Sequence, residues 1–417
     1  MDFRLDFHQL FGAAADKLFA LALTQPVTFH GGARPLLQGQ AEGDIAKAQA
    51  LALEGLHTHL HVLKRQSDKF LKRFNDDISY ADLLVPVAGR LTTPVGTAAG
   101  LDPDADGLEP LSYLYGVQIP GPVSCAPRQF DHLPFQEDAR RDDLYVPAIG
   151  NSQGLQHFSE RLQAYRASGG NTVILPALQT AAISESPDRD PISCLEMLAG
   201  SLVRFADGFV WTPAIHLDQT ADAETLFREA ARALRKIAPD KLLLVEMPAF
   251  EAEAEQAWLR QIGRFLSGGG DGIVAVRGRI VSREKLPQPD GWPFEIAVQC
   301  GASLARYRQD AIESARRAFP TCFIAACGGF HRREEAFSAC EFANIIVENE
   351  AFTRFGPGIA IQLLHKLALR LRFLVRDGQI PENGLWSYQQ NRWNKLAGAP
   401  TSHGGIDAGD PASPGND

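Results

Sequence analysis

The chain has no basic tract, no long apolar run and no paired-cysteine framework, and each absence removes a class of function. Nucleic-acid binding relies on clustered Lys and Arg. Here 41 such residues face 50 Asp and Glu, giving a net charge of -9 and a sequence pI near 5.7, so no nucleic-acid partner is expected. No run of 18 apolar residues could span a bilayer, and the N-terminus lacks the basic region, apolar stretch and cleavage site of a secretory signal. A cytoplasmic protein is expected, with peripheral contact at the inner face of a membrane the most that the sequence allows. The six cysteines, Cys125, Cys194, Cys300, Cys322, Cys327 and Cys340, show no small-domain pairing, and Cys322-x4-Cys327 lacks the tight turn of a zinc knuckle. They read as reduced, mostly buried thiols. No internal repeat is evident.

What is present suits one large domain with small extensions. At 417 residues and 45% hydrophobic content the chain can bury the core of a single barrel. Short segments apolar on both faces recur at 173–177, 208–211, 242–245, 272–276, 323–326 and 344–347. Helical periodicity separates them at 194–205, 223–237, 252–266 and 304–319. Doubly buried strands alternating with helices predict a parallel sheet covered by helices, here an α/β (β/α)8 TIM barrel with its site at the carboxyl ends of the strands. The expected division is an N-terminal helical extension over 1–75, the barrel over 76–375, a C-terminal extension over 376–400, and a Gly- and Pro-rich tail over 401–417 expected to be disordered. In the N-terminal extension Phe7, Leu10, Phe11, Ala14, Leu18 and Leu21 recur at helical spacing, and Ile45 through Leu56 do likewise. These two short helices read either as a membrane-surface pair or as a pair packed over the barrel bottom.

Thr93-Pro-Val-Gly-Thr-Ala-Ala-Gly-Leu-Asp102 leaves an apolar segment as small residues, which let a flat ring lie against main chain. It resembles the Asn-Pro-Val-Gly-x-Ala-Ala-Gly-x-Asp-Lys signature of the dihydroorotate dehydrogenases. Gly121-Pro-Val-Ser124, Asp271-Gly-Ile-Val-Ala275, Cys327-Gly-Gly-Phe330, and Ala343 to Val347 leading to Phe355-Gly-Pro-Gly358 resemble later family motifs in the same order. The likeness runs over roughly 5–370. It implies FMN as cofactor, oxidation of dihydroorotate to orotate in pyrimidine biosynthesis, and a quinone as partner, because the membrane-associated branch carries two such helices ahead of its barrel. By this resemblance Ala98, Ala99, Gly100, Gly121, Gly301, Ser303, Gly328 and Gly329 would hold the cofactor. His216 falls at the position of the catalytic base, and Asn151, Asp218 and Arg277 would face substrate.

Several family side chains are replaced. The flavin-facing Lys becomes Glu246, the Lys of the signature becomes Pro103, and the Asn that opens the substrate loop becomes Pro213. The Tyr-Thr/Ser pair that ends the last strand becomes Asn349-Glu350. An imidazole with a pKa near neutrality suits proton removal, so His216 reads as a base oriented by Asp218, or else as part of an ordinary surface loop. His57-Thr-His-Leu-His61 has the His-x-His spacing of a zinc site, but it lies in a helical context and no further ligands suggest themselves, so no metal is expected. Three classes compete: a flavin oxidoreductase, a catalytically inactive barrel acting as a binding or regulatory protein, and an enzyme rebuilt around Arg277, Arg279, Glu246 and His216 for another anionic substrate.

Overall fold

The computed structural model describes residues 43–65, 80–138, 140–180, 190–213, 221–330, 334–355, 358–379 and 384–397. The expected segments, together with β3 (Val95–Thr97) and β4 (Val117–Gln118), which are not among them, form one parallel sheet: β7 (Val173–Ile174), β8 (Ala177–Gln179), β9 (Gly208–Thr212), β10 (Leu242–Met247), β11 (Gly272–Ala275), β14 (Phe323–Cys327) and β15 (Ile345–Glu348) are the others. Their order, β7-β4-β3-β15-β14-β11-β10-β9-β8, begins and ends in one chain segment broken only at Leu175-Pro176. Because β7 pairs with β4 and β8 with β9, the sheet returns on itself as an eight-stranded barrel. Proline has no N–H for a ladder, which is why 173–179 is two strands rather than the single one its pattern suggests. Both faces of β9, β11 and β15 are buried throughout, as a covered parallel sheet requires.

Two smaller units are added. The hairpin of β1 (Val85–Val87) and β2 (Arg90–Thr92) precedes β3. An antiparallel sheet runs β12 (Arg279–Ser282), β13 (Ile296–Gly301), β6 (Asp143–Val146), β5 (Gln136–Asp138). It is built from the excursions after β4 and β11 and has its own core of Tyr145, Val281, Leu286, Trp292 and Ala297. It therefore stands over the carboxyl ends of the strands.

The opposite end of the barrel repeats one device three times, an internal repeat that the sequence does not show. Arg166, near the end of α3 (Gly154–Ala167), donates through Nε to Phe205 O, through Nη1 to Gly170 O and Thr172 O, and through Nη2 to Asp207 at 2.6 Å. The Asp207 carboxylate also accepts the Ile174 N–H. Arg235, near the end of α5 (Ala221–Ile237), makes the same contacts with Gly269 O, Pro239 O, Lys241 O and Asp271, which accepts the Leu243 N–H. Arg316, near the end of α7 (Leu304–Ala318), makes them with Phe342 O, Pro320 O, Cys322 O and Asn344, which accepts the Ile324 N–H. Each arginine thus satisfies the carbonyls of a helix-to-strand turn and ties that turn to the start of the next strand.

The helices start where caps allow. Asp44 accepts the Lys47 N–H and opens α1 (Ile45–Thr58); Asp190 accepts the Ser193 N–H ahead of Pro191 and opens α4 (Pro191–Leu202). α1 packs Leu53 against Gly107 in the loop after β3, so this part of the N-terminal extension lies at the carboxyl end of the barrel and not over its bottom. α11 (Gly384–Ala397) packs on the outer wall, where Gln389 donates to Cys340 O and Ala343 O and Trp393 lies 3.8 Å from the Arg316 guanidinium. No helix among the described residues is long and apolar enough to cross a membrane. The helix expected over 7–21 and the tail over 401–417 lie outside the described residues.

Candidate functional site

A cavity of about 780 Å³ opens at the carboxyl ends of the strands. α1 forms one wall, β6 and β13 another, and the ends of β3, β11, β14 and β15 the floor. Ala98, Gly100, Gly301 and Gly328 line it together with Asn151 and Arg277. Ala99, Gly121, Ser303 and Gly329 do not reach it. Gly121, at φ 107°, packs so closely that a Cβ would stand 2.7 Å from Ala177 O, and a Cβ on Gly329 would stand 2.6 Å from Ala305 N. Both are places where backbones touch. His216 and Asp218 lie outside the described residues.

The small-residue floor is covered by the protein's own side chains. Asn349 donates its amide to Ala99 O at 3.1 Å. A Cβ on Gly100 would meet Asn349 Nδ2 at 2.9 Å and Arg277 Nη2 at 3.2 Å, so the amide and the guanidinium rest directly on bare main chain. Arg277 is held there by Glu246, 3.2 Å from its Nη1, and the second Glu246 oxygen accepts from Thr212 Oγ1 at 2.9 Å. Burial opposes the arginine's charge, but Glu246 more than offsets it and keeps the Arg277 pKa above its ordinary value. Arg277 lines both the large cavity and a second of about 100 Å³, which Glu246 lines with Gln179, Thr212, Phe227 and Pro248. Arg279 instead pairs with Glu251 and lies over the Tyr307 ring.

The expected anion cradle is already served. Asp143, fully buried, accepts the Ser303 N–H at 3.1 Å, the Ser303 hydroxyl at 2.8 Å and the Gln299 amide at 2.8 Å. A carboxylate of the protein thus takes the donors at the start of α7 that a phosphate would need. Nothing in the Arg140-Arg-Asp-Asp-Leu144 stretch announces this, because the contact spans 160 positions. Asn151 also spends its oxygen internally, accepting the Phe130 N–H at 2.7 Å.

The cavity wall is acidic. Asp44, Glu54, Asp131 and Glu350 line it with Asp102, Asp104 and Asp106, against the cations Lys47 and Arg277. Asp102, which ends the small-residue segment, is 2% exposed. Burial pushes its carboxyl up to about 7, against the Gly107 N–H that lowers it. His57 lines the same wall with Nε2 3.0 Å from Asp106 O, and no three His, Cys, Asp or Glu side chains among the described residues are grouped to hold a metal. Beneath the floor, Tyr115 donates to a buried Glu348 that also accepts the Phe352 N–H. Burial raises the Glu348 carboxyl to about 7 despite both donors.

These residues do not fit a flavin mononucleotide. Its phosphate would find the Ser303 donors already taken by Asp143, and its ring would have to displace Arg277 and Asn349.

No protein-family profile matches the chain, and no curated protein sequence matches it. Solved structures do. The ligand-free dihydroorotate dehydrogenase of Eimeria tenella superposes with a TM-score of 0.59 at 17% identity, over 78% of this chain and 97% of that one. The fold is shared with the dihydroorotate dehydrogenases. At this identity the likeness concerns architecture, and the chemistry of the cavity has to be read from its own side chains.

Proposed function

We propose that this chain is a small-molecule binding protein on the dihydroorotate dehydrogenase fold, without flavin and without dihydroorotate oxidation. The observation that carries the reading is the Thr212–Glu246–Arg277 set, which lays a guanidinium on the Gly100 backbone where the fold would present a bare platform. A hydride-accepting flavin would supply the redox chemistry of the dehydrogenases, and this pocket keeps neither an open platform nor a free phosphate cradle for one. A cavity of this volume, walled mainly by apolar groups with a few convergent polar ones, suits a small ligand. The test is the visible absorbance of protein purified without added cofactor, followed by FMN titration and an assay for quinone reduction by dihydroorotate. The expected outcome is a colourless protein, no saturable FMN binding and no turnover. Stoichiometric flavin in the purified protein would overturn the proposal.

A further inference from the structure

Arg277 is held by the protein at one end of its guanidinium. Its Nη1 donates to Glu246 Oε1 at 3.2 Å, and Glu246 spends its second oxygen on Thr212 Oγ1. The other end, Nη2, lies over Gly100 beside Asn349 Nδ2, and both of those residues line the large cavity. Nη2 makes no hydrogen bond among the described residues and is not sealed away, for the side chain is 26% exposed and lines both cavities. A fixed guanidinium end with unclaimed hydrogens at a cavity calls for an acceptor. Charge decides which acceptor. Of the protein's carboxylates Glu246 acts most strongly on Arg277, and it already balances the guanidinium. Other acids of the wall have partners of their own: Asp44 contacts His132, and Asp106 contacts Arg161 and His157. A ligand carboxylate would thus share a guanidinium already neutralised by Glu246, and a cationic ligand would set donor against donor. A neutral carbonyl oxygen accepts from the charged donor and adds no charge to bury.

Resting on the reading that no flavin fills the cavity, we propose that it binds a neutral carboxamide, whose carbonyl oxygen accepts from Arg277 Nη2. Among neutral carbonyls the amide has the strongest acceptor, because resonance places extra charge on its oxygen. The apolar part of such a molecule suits a cavity walled mainly by apolar groups. The class is set by the Glu246–Arg277 balance, which offers donors without offering net charge.

Calorimetric titration of the full-length, flavin-free protein tests this with three probes of one shape: benzamide, the anionic benzoate and the cationic benzamidinium. Benzamide is expected to bind saturably, about ten-fold or more tightly than either ion, which is the least that a hydrogen bond to a charged donor brings. Glu246→Gln keeps an acceptor for Arg277 but removes its charge balance, so the order of benzamide and benzoate should reverse. Arg277→Met should remove the advantage of benzamide altogether. Equal affinity for the three probes, no binding of benzamide, a preference of the parent protein for either ion, an order unchanged in Glu246→Gln, or an advantage that survives Arg277→Met would each overturn the proposal. The ranking on the parent protein needs no variant, so the test stands even where a variant fails to fold. Stoichiometric FMN in the protein as purified would instead overturn the flavin-free reading on which the proposal rests, so the two failures are told apart before any titration begins.

Discussion

Asp102 combines burial with an oxygen that accepts no hydrogen bond, and its energetics can be read without any ligand. Its folded-state pKa, about 7, lies above the ordinary 3.8. The folded chain therefore keeps this proton where the unfolded chain has lost it. The resulting stability is fully present below pH 3.8 and is lost as pH rises through about 7. Asparagine imitates the protonated form at every pH, with its oxygen free to accept the Gly107 N–H. Asp102→Asn should therefore gain stability relative to the parent as pH rises from about 5 to above 7, by roughly 2 kcal/mol at 1.4 kcal/mol per unit. Urea unfolding at both pH values measures this, and a difference that stays constant with pH would assign the burial penalty elsewhere. Glu246 illustrates the complementary case. An acid at 246 was legible in the sequence, but its consequence, a guanidinium drawn across the small-residue floor, required the Arg277 partner that only folding supplies.

The unit that recurs is a helix-to-strand turn tied by an arginine to the next strand. Two of the three clamps close on aspartate, Asp207 and Asp271, and the third on Asn344. The third arginine, Arg316, is also the most buried, and burial lowers its pKa to about 10 with no carboxylate in contact to offset it. Asn344→Asp should convert this clamp to the form of the other two. It is expected to cost less than about 1 kcal/mol or to stabilise, because both hydrogen bonds to Asn344 Oδ1 survive and a charge partner is added. Arg316→Ala should cost on the order of 3 kcal/mol or more, since the Phe342, Pro320 and Cys322 carbonyls lose their donor and Trp393 its cation. Arg316→Lys should restore little, as an ammonium cannot span that fork. Denaturant midpoints decide the ranking, and an Asn344→Asp loss equal to that of Arg316→Ala would show that the clamp does not tolerate charge. These clamps escaped sequence reading because most of their acceptors are main-chain carbonyls, which every residue type supplies.

Over the whole molecule, the barrel closes without α11, yet α11 covers the third clamp. Leu385 and Gln389 are fully buried, and Gly384 packs so close to Asp82 that a Cβ would stand 2.7 Å from its carbonyl. A chain ending at Gln379 would expose Trp393's side of Arg316 and leave Cys340 O and Ala343 O without the Gln389 amide. Such a chain should unfold at a clearly lower urea concentration, with a loss on the order of several kcal/mol. A midpoint unchanged from the parent would show this helix to be dispensable.

Amino-acid pattern alone determined the class of fold, because doubly buried strands alternating with amphipathic helices have few other ways to hide their apolar faces. It also located the floor of the cavity, since Ala98 and Gly100 announce themselves by lack of bulk. Tertiary structure decided what stands on that floor. Arg277, Glu246, Thr212 and Asn349 come from four different strand ends, and their meeting depends on the closure of the barrel. It likewise decided that the start of α7 is served by Asp143 and that α1 forms one wall of the cavity. Charge and hydrogen-bond complementarity act over a few ångströms in space and carry no period along the chain, so the chemistry of the site becomes readable only once distant segments are folded together.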